Sequence, residues 1–475
     1  MPGQGGLPLR LGVLTERVTP ELVDEVIEVA GAREVRRRVL PARAVAYFVL
    51  GLALFSAADS VCPPGYRSVL RSLTTEWREL RAVVLPSSSV LTKARQRLYV
   101  KPVQLLFERT RGALAAAGDP GAFAFGRRLV AWDATTVDVA DTAANSAAFG
   151  RSAQAGHPQL ELLTLIECGT HAVIDAASEG VANSNEHALA RRVAASLSTG
   201  MLLLADRNFF GHDLWSLAAG TGADLLWRVR KNLIFEPVTE LPDGSFLSVL
   251  ATPAESQRRG QARRAGRELT EPVTGHTVRV ICYTVTVRGA DGATRTEPFR
   301  LVTTLLDPDT APAAELAAVY HQRWESENGY GELKTRLRGA EVVLRSKSPD
   351  LVEQELFALL TVYQALTGLR TPGRPPRRCG PRPDLLHPDP APGPGPRRHH
   401  RRPAPTRPGP GPHPRPHRPP RRPAPPAATP TRRTDQETPE EHLPDQQTRP
   451  PQTRKQDHLY DHRAHPPTPM ITEKA

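Results

Sequence analysis

Three consecutive strand patterns, followed by alternating helix and strand patterns, predict an α/β core of the RNase H-like kind. The strand patterns are "RRLVAWD" (127–133), then "LELLTLIEC" (160–168) and "HAVIDAA" (171–177), a hairpin turning at Gly169-Thr170. The alternation continues with helix "NEHALARRVAASL" (185–197), strand "GMLLLAD" (200–206), helix "HDLWSLAAGTG" (212–222) and strand "DLLWRVR" (224–230). Two flanking regions complete the expectation. A helical N-terminal domain precedes the core, and a disordered Pro/Arg-rich tail follows it.

Residues 10–118 read as helical. Thr19-Pro20 opens "TPELVDEVIEVAG" with a cap signal. The run "AVAYFVLGLALFSAA" (44–58) is shorter than the ~20 residues a membrane span needs, so it reads as a buried helix. "SSSVLTKARQRLYV" is basic and amphipathic: Leu91, Ala94 and Leu98 form one stripe, and Lys93, Gln96 and Arg97 face away. Such a helix could enter a DNA groove through Lys93 and Arg97, or it could be a solvated surface helix. "GDPGAF" (118–123) is a turn or linker, which sets expected domains at 1–120, 121–370 and 371–475. Between Asp206 and Glu327 the chain is about twice as long as a helix, a strand and their connections require. The surplus, about 232–305, carries the strand patterns "SFLSVL", "TVRVICYTVTV" and "FRLVTTLL" and reads as a β-rich insertion.

The 475 residues carry a formal charge of +12, which suggests a polyanionic partner. The tail supplies much of it: residues 371–475 hold 20 Lys/Arg against 10 Asp/Glu, whereas the first 370 hold 42 against 40. Bulk charge therefore says little about what the folded part binds. The tail also holds 30 of the 48 prolines, which excludes helix interiors and central strands. Either it is an intrinsic disordered basic arm, or it is GC-rich DNA read in a shifted frame. Cys62, Cys168, Cys282 and Cys379 are far apart with no CxxC spacing, which argues against a zinc site or disulfide framework and fits a reducing, cytoplasmic setting. The N-terminus lacks the apolar stretch of a signal peptide.

The chemistry gathers around three acids. Asp133 and Asp206 end the first and fourth strands of the expected sheet, which are neighbours in this fold class. Glu327 lies in "YHQRWESENGYGELKTRLRG" (320–339). At about 100° per residue, Tyr320, Arg323, Glu327 and Lys334 fall within ~60° of one another on a helix, so a carboxylate shares a narrow face with a hydroxyl and two cations. Taken singly, each acid has an ordinary explanation as a cap, a turn former or one half of an (i, i+4) pair. Asp138 and Asp141 read as turn residues, with Asp138 the fallback for Asp133. Taken together, three carboxylates converging at one sheet end repel unless cations intervene. Hard oxygen ligands with open positions suit Mg²⁺, and two such ions could act on a phosphodiester. Arg323, Lys334 and Tyr320 would then hold flanking phosphates.

The spacing Tyr320-x2-Arg323-x3-Glu327-x6-Lys334 resembles the signature of the Tyr-Arg-Glu-Lys (YREK) group of bacterial insertion-sequence DDE transposases. "DATTVDVADT" and "LLLADRNFFGHDLW" are similar to the segments that hold that family's first and second catalytic Asp. The resemblance spans about 10–370. It implies Asp133, Asp206 and Glu327 as catalytic metal ligands for two Mg²⁺ (Mn²⁺ substituting), with Tyr320, Arg323 and Lys334 on the DNA. It also implies that the N-terminal helices bind the terminal inverted repeats. The implied activity is cut-and-paste transposition of double-stranded DNA into target DNA by a homodimeric paired-end complex. A binding-only remnant and an RNase H-like nuclease with another role are the competing expectations. The tail departs from the family, whose members continue with helical sequence.

Overall fold

The computed structural model describes residues 14–36, 40–54, 69, 86–183, 185–288, 294–321 and 343–370. All fall in one compact unit. The sequence-derived tail and the segment holding Arg323, Glu327 and Lys334 lie outside the described residues.

Helix α1 (Pro20–Val29) starts where the cap signal predicts: the Thr19 hydroxyl accepts from the Leu22 N–H, and Val23, Val26 and Ile27 are buried. Helix α2 (Ala42–Leu54) is buried along nearly its whole length, as a core helix should be. Among the described residues no helix is long and apolar enough to cross a membrane. Helix α3 (Ser88–Leu98) is capped by Ser87, and α4 (Lys101–Thr110) follows at once.

The strands are β1 (Phe123–Ala124), β2 (Arg127–Asp138), β3 (Gln159–Glu167), β4 (Val173–Gly180), β5 (Met201–Ala205), β6 (Asp224–Arg228), β7 (Thr239–Glu240), β8 (Phe246–Ala251), β9 (Gly275–Arg288) and β10 (Thr294–Thr303). They form one sheet in the order β4-β3-β2-β5-β6-β10-β9-β8-β7, with β1 beside β2. Strands β2, β5 and β6 are parallel, and β3 runs antiparallel between β2 and β4. The first five in this order are the RNase H-like core. The insertion is not a separate layer: β10 pairs antiparallel with the free edge of β6, and β9, β8 and β7 extend the same sheet. Covering that edge removes a row of unpaired main-chain groups.

Several sequence expectations need correction. Strand β2 does not end at Asp133. It pairs with β3 as far as Asp138↔Gln159, so Asp133 sits in mid-strand, and only Asp206 lies at a strand end. Two helices were not expected. Helix α5 (Ala143–Phe149) follows β2 and is capped by Thr142. Helix α8 (Pro253–Arg264) interrupts the β-rich insertion. Its start was written in Thr252-Pro253-Ala254-Glu255, and the Thr252 hydroxyl accepts from the Glu255 N–H.

Helices α6 (Glu186–Ala194) and α7 (His212–Ala219) cover one sheet face, packing Leu189, Val193 and Trp215 on Val130, Trp132 and Trp227. Helix α9 (Ala313–His321) covers part of the other, packing Leu316, Val319 and Tyr320 on Leu129, Ala131, Leu202 and Leu204. Helix α10 (Pro349–Arg370) packs against α2 and α4. It shares one apolar cluster with them and with Val137, Leu160, Ile166 and Val173 of the sheet. The expected boundary near residue 120 is therefore one of chain order, because α10 completes the N-terminal helical core from the far end of the chain.

Candidate active site

Strand register brings the two aspartates together. Strands β2 and β5 pair Arg128↔Met201 through Ala131↔Leu204. Two residues further along each chain come Asp133 and Asp206. On β2, Leu129 and Ala131 point to the face covered by α9, while Val130 and Trp132 point to the other. Period-2 alternation carries Asp133 to the α9 face. The same alternation, Leu202 and Leu204 against Leu203 and Ala205, carries Asp206 there as well. Asp138 falls on the opposite face, where its carboxylate accepts from the Gln159 amide at 2.8 Å. Asp141 pairs with Arg151. Both are held in structural contacts, as turn and strand-end residues should be.

The two aspartates are half-buried. The Asp133 carboxylate accepts from the Ala134 N–H at 3.0 Å, and that of Asp206 from the Asn208 N–H at 2.6 Å. The acidic neighbourhood extends beyond them. Burial, and then the nearby Asp206, push the Glu186 carboxyl above its ordinary range, while His187 pulls it back. Burial and Glu186 in turn raise Glu161. Among the described residues no group of three or more His, Cys, Asp and Glu is arranged to hold a metal ion, and the third expected ligand, Glu327, is outside them. Asp133 and Asp206 supply the hard oxygen donors and partial exposure that a divalent cation requires.

Helix α9 is tied down at both ends. At its start the Ala313 N–H donates to Asp243 Oδ2 at 2.8 Å. Asp243 in turn pairs with the fully buried Arg279, whose guanidinium also bonds the Ala311 carbonyl at 2.7 Å. At its end the Tyr320 hydroxyl donates to the Ala205 carbonyl at 3.3 Å. Tyr320 was expected on DNA. In this structure it is fully buried, and its contact is with the strand that ends beside Asp206. A ring surrounded by Leu204, Leu316 and Val319 gains more from apolar burial than from solvent.

One residue of the site went unnoticed in the sequence. Strands β5 and β6 pair up to Ala205↔Trp227, so the next pair is Asp206 and Arg228. The Arg228 guanidinium lies 3.7 Å from the centroid of the Phe299 ring and bonds Glu297 at 2.5 Å. Burial, and then Arg228, hold His321 below the ordinary imidazole range. The strand-end rule that found Asp206 would have found Arg228, had it been applied to cations at the end of "DLLWR".

Lys93 and Arg97 are exposed on α3, as the amphipathic pattern requires, but Arg95 on the same helix is fully buried. Arg97 lines a cleft of about 420 Å³ together with Arg33 and Arg36 from the loop after α1.

The chain is similar to known proteins along most of its first 370 residues. Residues 8–108 match the N-terminal region of insertion element 4 transposases, and residues 124–365 match the transposase DDE domain. The transposase InsG for insertion sequence element IS4, from Escherichia coli strain K12, is 28% identical over 359 residues, covering 74% of each chain. A cryo-EM structure of the piggyBac transposase synaptic complex with hairpin DNA aligns over 76% of this chain and 74% of its own, with a TM-score of 0.39 and 10% identity. With an IS4-type region over its N-terminal helices and a DDE domain over its sheet, the chain belongs to the insertion-sequence DDE transposases, enzymes that act on DNA by phosphoryl transfer.

Proposed function

We propose that Asp133, Asp206 and Glu327 are the catalytic carboxylates of a cut-and-paste transposase of the YREK group. The observation that carries the reading is the register that sets Asp133 beside Asp206 on the face covered by α9, the helix that leads toward Glu327. DDE transposases work with divalent metal ions, and these three side chains would hold them, as a pair of Mg²⁺ that Mn²⁺ can replace. Bound there, such ions activate the attacking oxygen and stabilise the leaving one.

The chain's own groups orient the reaction. Arg323 and Lys334 bond phosphates flanking the scissile bond, and Arg228 adds a cation beside Asp206. Tyr320 acts from beneath, by fixing α9 to β5. A break in the opposite strand frees the element, and hydrolysis of one phosphodiester leaves a 3′-hydroxyl at its end and a 5′-phosphate on the flanking DNA. That hydroxyl then attacks a phosphodiester of the target strand, forming one P–O bond and releasing the strand's own 3′-oxygen. The residues up to about 120, with Lys93 and Arg97 on α3 and Arg33 and Arg36 across the cleft, hold the terminal inverted repeat. Residues 121–370 cut it, and two copies of the chain pair the ends. The reaction belongs with the bacterial nucleoid.

The test uses a duplex carrying the boundary of the element, incubated with Mg²⁺ or Mn²⁺. Nicking at the boundary is expected to require the cation and to vanish in Asp133→Ala, Asp206→Ala and Glu327→Ala, while gel-shift binding persists. Undiminished nicking in any one of the three removes that residue from the site.

A further inference from the structure

Arg95 is out of place on a DNA-binding helix. It lies between Lys93 and Arg97 in sequence, yet it is fully buried. Its Nε donates to the Gln354 side chain at 2.9 Å, and its Nη2 donates to the Ser346 hydroxyl at 3.0 Å and to the Leu351 carbonyl at 2.9 Å. Gln354 returns the contact, donating to the main-chain carbonyls of Arg95 at 3.2 Å and Tyr99 at 2.8 Å. Gln354 and Ser346 are themselves buried.

These contacts lead to the catalytic strand. The Ser346 hydroxyl donates to Glu355 at 2.6 Å, and the Ser346 carbonyl accepts from the buried Asn145 at 3.0 Å. Two residues earlier, Leu344 bridges in parallel to Val139. The Leu344 N–H donates to the Asp138 carbonyl, and the Ala140 N–H donates to the Leu344 carbonyl, both at 2.9 Å. The segment 343–346 is thus a strap laid on the end of β2, five residues beyond Asp133 on the same strand. It is also the first described stretch after the one that contains Glu327.

We propose that Arg95 is a positioning residue that sets where the element end is cut, by holding α3 at a fixed offset from β2 through this strap. The proposal rests on the reading of α3 as an end-binding helix. Apolar packing of Leu91, Ala94 and Leu98 is non-directional and tolerates a small slide or rotation of the helix. A guanidinium with donors in a rigid planar fork, each aimed at a fixed acceptor, does not. If α3 grips the terminal repeat, the position of the scissile phosphate relative to that grip is a property of this anchor.

The experiment maps cut positions at nucleotide resolution on a labelled boundary duplex, using the full chain, Arg95→Gln and Ser346→Ala. The full chain is expected to cut at one phosphate. Arg95→Gln is expected to bind within about threefold of the full chain but to spread its cuts over neighbouring phosphates, and Arg95→Lys to restore part of the precision. Ser346→Ala loses one anchor of the three and should show a smaller spread, and it carries the test if Arg95→Gln does not fold. A residue that only stabilises the fold would lower yield without moving the cut. Unchanged cut positions in every variant that folds overturn the proposal. Lys93→Ala/Arg97→Ala examines the underlying reading separately: it should lose binding while any residual cuts keep their position. Unchanged binding there removes α3 from the interface, and the ruler role of Arg95 with it.

Discussion

The Tyr320 hydroxyl, on α9, donates to the main-chain carbonyl of Ala205, the residue immediately before Asp206. The helix that leads toward Glu327 is thereby pinned to the strand that presents the second aspartate. Tyr320→Phe keeps the ring and removes the bond, leaving a buried carbonyl one donor short. The expected cost is about 1 kcal/mol of stability, read by urea unfolding. Boundary nicking should fall by roughly fivefold with unchanged gel-shift affinity. Parallel losses in binding would instead mean that Tyr320 touches DNA.

Asp243 holds the other end of α9 from within the insertion. Burial pushes its carboxyl up, but the Ser245 hydroxyl, the Ala313 and Ser245 N–H groups and Arg279 outweigh that and hold it below its ordinary range. Asp243→Asn would leave Arg279 buried with its charge partner gone, at a cost of about 2–4 kcal/mol. A carboxyl depressed in the folded state binds fewer protons folded than unfolded. Its contribution is present in full above about pH 4 and is lost as pH falls through the folded value. The stability gap between the wild type and Asp243→Asn should therefore be constant from about pH 6 to 8 and shrink below about pH 4. A gap that widens on acidification would contradict the assignment.

Arg228 is expected to act on both His321 and the DNA. Arg228→Met keeps much of the stem that lies against Phe299 and removes the charge. The His321 imidazole should then titrate closer to the ordinary value of about 6.5, measurable by NMR. Nicking should fall about tenfold or more if the guanidinium bonds a phosphate, the magnitude of one charge-assisted hydrogen bond. A shift in His321 with full nicking activity would confine Arg228 to a structural role.

The DNA of the locus tests the tail. Sequencing through codon 370 and out to both flanks should reveal inverted repeats bracketing the gene. A second reading frame that continues with helical sequence beyond codon 370 identifies the Pro/Arg-rich stretch as a frameshift. If no frame does so, the tail is a native basic arm. Removing residues 371–475 should then weaken non-specific DNA binding and flatten its salt dependence.

What the sequence determined by itself was local. Caps and apolar runs are written within a few residues, so Thr19 and Ser87 opened their helices as expected, and the continuous apolar run of β2 was visible in "RRLVAWD". The strand order also followed, because three strands and then alternating helix and strand leave few ways to build a right-handed parallel sheet. That order made β2 and β5 neighbours, but Asp133 lies beside Asp206 through the register, because β2 runs on past Asp133 as far as Asp138. The tertiary structure decided what depends on a distant partner. The end of β2 is set by how far β3 runs beside it. The burial of Tyr320 is set by the face of the sheet that α9 meets. The role of Arg95 is set by Gln354 and Ser346, more than 250 residues away in the chain. Nothing in the spacing of Lys93, Arg95 and Arg97 distinguishes a cation meant for solvent or phosphate from one meant for a buried carbonyl. Only the packing of α10 against the N-terminal helices makes that distinction, by removing water from one side of α3 and supplying fixed acceptors in its place.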